Sequence, residues 1–251
     1  MSTITRVLGR AANAPLRPLG LELKRLAAWS DDTRGFLPFE ATLAAAAAAG
    51  QSVSDYVDVT YNRAHATPES VERMAELGAF AGRIDRICEI GPGSGRYLDL
   101  VKKRCQPSYY EIYETADDWA GWLVERHGVQ RQPCDGLSLS ATPAASIDLV
   151  MAHKVFPSVP TLVTIRYLIE MARVVRPGGK LLFDVVTEKC LDAATIDRWL
   201  SSGKGYDHFP TATQESVMLD VLGRRGVSPS GRFIYPMEPG TTECFLFVKA
   251  Q

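Results

Sequence analysis

The chain has 251 residues, of which 46% are hydrophobic and 23% charged, and its formal net charge is −1. This composition is ordinary for a globular protein with one sizeable core, and the near-neutral net charge gives no electrostatic attraction for nucleic acid, which prefers a basic face. The five cysteines are scattered without a C-x-x-C pair, which argues against a disulfide framework or a structural zinc site and predicts a reducing, cytoplasmic location.

The N-terminal third of the chain precedes the predicted sheet, and we expect residues 1–82 to form a helical cap or lid. It begins with basic residues interleaved with leucines and lacks the apolar core of a signal peptide. This basic stretch could contact an anionic membrane, the second subunit of a homodimer or the active site, but its two prolines interrupt an amphipathic helix and disfavour the membrane. An alanine-rich helix is predicted over about 39–49, and another is predicted to open at Thr67 as its N-cap residue.

A glycine-rich turn follows the first predicted strand. The apolar run 84–88 leads into the sequence EIGPGSG at 89–95, and a helix is predicted over about 96–104. Glycine lets the backbone approach a ligand closely, and the first turn of the helix presents free N–H groups and the positive end of its dipole. The segment therefore predicts a nucleotide-type ligand, with an ordinary strand-to-helix turn as the alternative.

Acidic residues stand where the next two predicted strands end. Glu114 follows a strand predicted over Tyr109–Tyr113, and an acid there can accept both hydroxyls of a ribose. The neighbouring Glu111 leaves this assignment open. Asp135 and Gly136 end a short third strand, although Asp-Gly is also an ordinary turn signal.

The rest of the chain continues the alternation of strands and helices. A fourth strand is predicted over 146–153, and a helix, a Pro-Gly-Gly turn and a fifth strand over 170–184. Two more strand-like runs, 231–237 and 242–249, predict an antiparallel hairpin. We therefore predict an α/β fold in which residues 83–251 form a mostly parallel, doubly wound sheet that ends in this hairpin.

Taken in order, these segments resemble the motifs of class I S-adenosylmethionine (SAM)-dependent methyltransferases, over about residues 84–248. A dinucleotide fingerprint would need a third glycine at the position of Arg96, whereas this turn has the spacing G-x-G-x-G. The resemblance implies a seven-stranded, Rossmann-like sheet and SAM as cofactor, with S-adenosylhomocysteine (SAH) as product. It also implies the cofactor-binding residues: Glu89 at the ammonium group, Gly91, Gly93 and Gly95 in the turn, Glu114 with Thr115 at the ribose, and Asp135 with Gly136 at the adenine.

The methyl acceptor is expected beyond the fourth and fifth strands, because ligands of open α/β sheets bind outside the carboxyl ends of their strands. His153 begins the sequence H-K-V-F after the fourth strand, where many amino-group methyltransferases of this fold carry Asn-Pro-Pro-aromatic. The difference favours an oxygen acceptor with His153 as general base, since the pKa of histidine lies near the working pH. The alternatives for His153 are a non-catalytic role in the pocket and a buried structural role.

Two further residues are weaker candidates for the acceptor side. Glu188, after the fifth strand, could orient an acceptor hydroxyl or bind a metal, and His208 lies in a loop that could reach the site. For both, a solvated loop residue is the alternative. The sequence shows no cluster of metal ligands, so we predict no metal site, although some saccharide methyltransferases need a divalent ion.

The hypothesis from the sequence is a cytoplasmic SAM-dependent O-methyltransferase that acts on a small molecule or a saccharide. Segments 112–119 and 183–188 look like those of actinobacterial enzymes that methylate sugars or polysaccharides. The alternatives are a non-catalytic SAM-binding sensor or scaffold, a methyltransferase with a carbon or nitrogen acceptor, and an NAD-dependent oxidoreductase.

Overall fold

Helices and strands alternate through residues 37–203 and 209–251, which are the residues described by a computed structural model of the chain. The helices are Phe39–Ala48 (α1), Val53–Tyr61 (α2), Ala66–Glu76 (α3), Arg96–Cys105 (α4), Asp117–His127 (α5), Thr161–Val174 (α6), Ala193–Ser201 (α7) and Glu215–Gly223 (α8). Short 3₁₀ helices lie at Phe156–Ser158 and Glu188–Cys190. None of the helices in these ranges combines the length and the apolar character that crossing a membrane requires.

Seven strands form one mixed sheet, as the sequence pattern and the resemblance predict. They are Arg86–Ile90 (β1), Tyr109–Tyr113 (β2), Gln130–Arg131 (β3), Ile147–Ala152 (β4), Val175–Val185 (β5), Val227–Met237 (β6) and Gly240–Lys249 (β7). Their order is β3-β2-β1-β4-β5-β7-β6, with β1 to β5 parallel and β7 antiparallel to both of its neighbours. The predicted fold class, including the C-terminal antiparallel hairpin, is confirmed.

The sheet is covered on both faces because its central strands are apolar on both sides. Along β1, Cys88 and Ile90 pack into the core beneath α6 and α8, whereas Ile87 packs into the core beneath α3, α4 and α5. Strand order reverses between β1 and β4, so the carboxyl ends of these strands form the crevice where such folds bind ligands. The glycine turn and the segment that begins at His153 meet at this crevice.

The start of α3 differs from the prediction. Thr67 is not the N-cap residue, because α3 begins at Ala66 with His65 as its N-cap in the left-handed conformation, at φ 63°. The N–H and the hydroxyl of Thr67 instead donate to the carboxylate of Asp58 in α2, at 2.8 and 2.7 Å. Thr67 therefore binds a carboxylate of the preceding helix and does not cap its own helix. A local sequence pattern does not reveal such a contact between two helices.

Two strand boundaries also differ from the prediction. The third strand is limited to Gln130–Arg131, although the N–H of Gln132 still donates to the Ile112 carbonyl oxygen of β2 at 2.9 Å. The Pro-Gly-Gly segment lies inside β5, where the pairing with β4 shifts register between Ile147 and Leu149. Gly178 takes φ 72°, so the positive φ expected of a turn is present within an irregularity of the strand.

Candidate functional site

The glycine turn joins β1 to α4 with three glycines in the left-handed region. Gly91, Gly93 and Gly95 have φ of 61°, 52° and 71°. A Cβ on Gly91 would lie 2.7 Å from Val155 Cγ2, whereas a Cβ on Gly93 would meet no atom within 4 Å. The turn is therefore packed against the loop after β4 at its first glycine and leaves space for a ligand beside its second.

Glu114 is the acid that contacts this turn. Its Oε2 accepts the N–H of Gly93 at 2.8 Å, and its Oε1 accepts the N–H of Ala116 at 2.9 Å. Burial raises the pKa of Glu114, and the hydrogen bonds from these N–H groups oppose that effect. Glu111, the alternative, is occupied elsewhere, because its carboxylate binds the side chains of Tyr109, Gln132 and Thr142.

Glu89 is buried at the end of β1, close to Glu114. Its Oε2 accepts a hydrogen bond from the Tyr110 hydroxyl at 2.6 Å. Burial raises the pKa of Glu89 to about 7, with the Tyr110 bond lowering it and the charge of Glu114 raising it. A cationic ligand next to these two carboxylates would favour the ionised form of Glu89.

The loops after β2 and β3 lie side by side. A Cβ on Gly136 would be 3.7 Å from Thr115 Cγ2, so the residues expected at the ribose and at the adenine are neighbours. Asp135 is exposed and already accepts the N–H groups of Leu137 and Ser138 and the Ser138 hydroxyl. Burial alone would raise the pKa of Asp135, but these hydrogen bonds outweigh it and lower the pKa.

His153 is enclosed by aromatic rings and one carboxylate. Its Nε2 lies 2.8 Å from the Tyr235 hydroxyl, its Nδ1 lies 3.4 Å from Asp184 Oδ1, and its ring meets that of Tyr97 edge to face at 4.0 Å between centroids. Only 6% of the residue is exposed. Burial lowers the pKa of His153 to about 3, although Asp184 opposes the effect, so the ring is neutral at working pH.

Sequence reasoning did not assign a role to the groups around His153. Asp184 is fully buried at the end of β5 and accepts the N–H of Lys154 at 2.6 Å and the Thr242 hydroxyl at 2.9 Å. An acid within the apolar sequence of a strand was the one available signal for Asp184. Tyr235 comes from the C-terminal hairpin, and nothing in the local sequence ties it to His153.

Arg96 occupies the position of the missing third glycine. Its guanidinium pairs with Asp58 of α2 at 3.1 Å, and only 12% of the Arg96 side chain is exposed. Asp58 also holds Thr67 of α3. One carboxylate therefore ties the helices before the sheet to the first residue after the glycine turn.

Glu188, one of the two weaker candidates, makes its hydrogen bond away from this cluster. Glu188 is exposed, and its Oε2 accepts the N–H of Glu215 at 3.1 Å, at the start of α8. This contact gives Glu188 a role in capping α8, and its catalytic role stays a prediction. His208 and the basic N-terminal stretch lie outside the described residues. Within the described ranges, no three His, Cys, Asp or Glu side chains are grouped as a metal site would need.

Comparison with known families gives one match over most of the chain. A family model described as a methyltransferase domain matches residues 56–219, about two thirds of the sequence. The match includes most of α2, all of α3, the glycine turn and the strands through β5. No curated protein sequence matches the chain.

Solved structures share the fold at low sequence identity. The N-methyltransferase NodS from Bradyrhizobium japonicum, crystallised with SAH, is 16% identical with a TM-score of 0.55, over 73% of this chain and 87% of that chain. Magnesium protoporphyrin IX methyltransferase from Synechocystis, also with SAH, is 14% identical with a TM-score of 0.52, over 73% and 81%. A third structure is described as a complex between the Haloferax volcanii Trm112 methyltransferase activator and the putative methyltransferase. It is 14% identical with a TM-score of 0.57, over 82% of this chain and 97% of that chain.

Proposed function

The chain belongs to the methyltransferase domain family, and we propose that it transfers the methyl group of SAM to a hydroxyl group of a small molecule or a saccharide. The observation that carries the cofactor assignment is the contact between Glu114 and the glycine turn. Structural neighbours crystallised with SAM or SAH support the same cofactor. SAM supplies an electrophilic methyl group on a sulfonium sulfur.

The chemistry of the residues at the turn fits this cofactor. Each oxygen of Glu114 accepts one N–H bond in the structure, and a carboxylate oxygen can accept two hydrogen bonds. One acceptor position therefore remains on each oxygen, which suits the two neighbouring hydroxyls of a ribose. The open space beside Gly93 and the negative charge of Glu114 with Glu89 suit a nucleoside that carries a positive charge.

The remaining residues expected at the cofactor would hold its other parts. Asp135 and Gly136 would border the adenine, next to Thr115 at the ribose, although Asp135 keeps only part of its acceptor capacity because its own loop uses three bonds. Gly95 allows α4 to pack closely on α5 and so fixes the direction in which the N–H groups of the turn point. Positioning both reactants at such a site supplies much of the rate of a methyl transfer.

An oxygen acceptor is favoured by the segment after β4. A hydroxyl is a weak nucleophile until its proton is partly removed, and His153 and Lys154 are the basic side chains that this segment offers. The saccharide class rests on the sequence resemblance of segments 112–119 and 183–188, and a cytoplasmic location rests on the free cysteines. A homodimer stays a prediction.

The proposal is tested with SAM that carries a ¹³C-methyl group. The protein is incubated with this SAM and a bacterial extract, which is then separated into saccharides, small metabolites, protein and nucleic acid. We expect label in the saccharide or metabolite fraction, with the carbon chemical shift of a methyl ether. An N-methyl or C-methyl shift would contradict the oxygen acceptor, and SAH binding without any methylated product would favour the sensor or scaffold.

The cofactor assignment is tested separately by calorimetry with SAH. Glu114→Gln keeps the shape of the side chain but removes its charge and one strong acceptor, so we expect affinity to fall by about 10- to 100-fold. Glu125→Gln is the matched control, because Glu125 is an exposed glutamate on α5. Equal affinity of the two variants would contradict the role of Glu114.

A further inference from the structure

Lys154 has an unusual backbone conformation at the carboxyl edge of the sheet. It is the second residue after β4 and takes φ 61°, in the left-handed region that residues other than glycine rarely adopt. Its N–H donates to Asp184 Oδ1 at 2.6 Å, which holds this conformation in place. Strained residues that their surroundings enforce in this way concentrate at functional sites.

The side chain of Lys154 lies near groups from four other elements, β5, β6, α4 and α2. Its Nζ is 3.3 Å from the Pro236 carbonyl oxygen and 4.8 Å from the centroid of the Tyr235 ring, and the residue is half-buried rather than enclosed. The charged groups facing it are Asp184 of β5, Arg96 of α4 and Asp58 of α2.

These surroundings lower the pKa of Lys154 below that of an ordinary lysine. Burial lowers the pKa of Lys154 to about 8; Arg96 adds to the effect, and Asp184 and Asp58 oppose it. A fraction of the side chain is therefore unprotonated near neutral pH. The free lone pair of that fraction can accept a proton, and the residue is not fully buried.

His153 is less suited to take a proton from a hydroxyl. Its ring lies between Tyr97 and Tyr235, and its Nε2 is already within hydrogen-bond distance of the Tyr235 hydroxyl. A base whose protonated form has a pKa of about 3 gives little driving force for proton transfer. The same contacts suit a structural task, since His153 fixes Tyr235, the ring over which the Lys154 amine lies.

We propose that Lys154 is the general base of the methyl transfer and that His153 is a positioning residue for it. The assignment rests on the proposed function. In the reaction the acceptor oxygen forms a bond to the methyl carbon, the carbon–sulfur bond breaks with its electron pair on sulfur, and the hydroxyl proton passes to Lys154 Nζ. The neutral amine becomes an ammonium group and returns its proton to water after the product leaves.

The first test measures how the reactivity of the Lys154 amine depends on pH, in the absence of methyl transfer. The unloaded protein is labelled briefly with a trace of acetic anhydride across a pH series, and acetylation of each lysine is read by mass spectrometry, with the exposed Lys103 of α4 as internal reference. We expect the reactivity of Lys154 to rise to half its maximum near pH 8. A half-maximum near that of an ordinary lysine, about 10.4, would overturn the assignment.

The second test uses variants matched to the backbone at Lys154. Lys154→Gly suits the left-handed φ, and Lys154→Arg keeps the positive charge but cannot give up its proton. With ¹³C-methyl SAM and the saccharide fraction of a bacterial extract, we expect both to lose at least ~100-fold in kcat/KM. Added propylamine is expected to restore part of the activity of Lys154→Gly and none of that of Lys154→Arg.

The pH dependence separates Lys154 from His153. Because the base must be neutral to act, kcat/KM of the wild type is expected to rise with pH through about 8, and His153→Gln is expected to keep this inflection at a lower rate. Activity of Lys154→Arg at the wild-type level, or loss of the inflection in His153→Gln alone, would overturn the assignment. A wild-type protein that methylates nothing would overturn the proposed function itself.

Discussion

At the scale of single residues, two glycines of the same turn differ in their physical role. Both Gly93 and Gly95 have positive φ, but a Cβ on Gly95 would overlap Leu123 of α5, whereas a Cβ on Gly93 would point into open space. Gly93→Ala should therefore lower the free energy of unfolding by about 1–2 kcal/mol, because its backbone is left-handed. Gly95→Ala should lower it by about 1–3 kcal/mol more, because its methyl group also overpacks against α5. Urea unfolding of both variants measures the difference.

The same two variants also separate the effect on packing from the effect on ligand binding. Gly93→Ala places a methyl group beside the Glu114 contact, so it should weaken SAH binding measured by calorimetry more than its effect on stability suggests. Equal losses of stability in the two variants would show that α5 yields at Leu123 and that the close approach of α4 and α5 does not require Gly95.

At the scale of elements, the helices before the sheet are tied to the glycine turn by one carboxylate. Asp58 is buried and binds Arg96 of α4 and Thr67 of α3. Asp58→Ala leaves a largely buried guanidinium without its partner, so we expect a loss of about 3–5 kcal/mol in the free energy of unfolding. Asp55→Ala, at an exposed position one turn earlier in α2, is the control and should lose less than about 1 kcal/mol.

Hydrogen exchange shows where the effect of Asp58→Ala acts. If Asp58 joins α2 and α3 to α4, protection should fall first in the opening turn of α3, where the Thr67 N–H loses its acceptor. A uniform loss of protection over the sheet, with α3 unaffected, would contradict a local role for this carboxylate.

Most elements could be predicted because their signals are local. Each apolar strand, the glycine turn and each acid at a strand end can be recognised from a few neighbouring residues, whereas the contact between Gly93 and Glu114 joins residues 21 positions apart. The surroundings of His153 could not be predicted in this way. Tyr235 is distant in sequence, and the burial that moves the pKa of His153 away from working pH arises only from tertiary packing.

At the scale of the whole molecule, ligand binding should increase the free energy of unfolding. A ligand that binds only the folded state at 100 times its Kd adds about 2.7 kcal/mol, and each kcal/mol moves the melting temperature of a chain of this size by about 2–4 °C. We therefore expect SAH to raise the melting temperature by about 5–10 °C, and by much less in Glu114→Gln at the same concentration.

NAD is the matched comparison for this melting experiment. In a dinucleotide-binding fold, the third glycine lets the helix pack closely on the strand. Here Arg96 holds that position and is committed to Asp58, while Gly95 provides the close approach to α5. The turn is therefore built for a nucleoside without a pyrophosphate, and NAD at the same concentration should leave the melting temperature unchanged. A larger shift with NAD than with SAH would contradict the cofactor assignment and favour the oxidoreductase alternative.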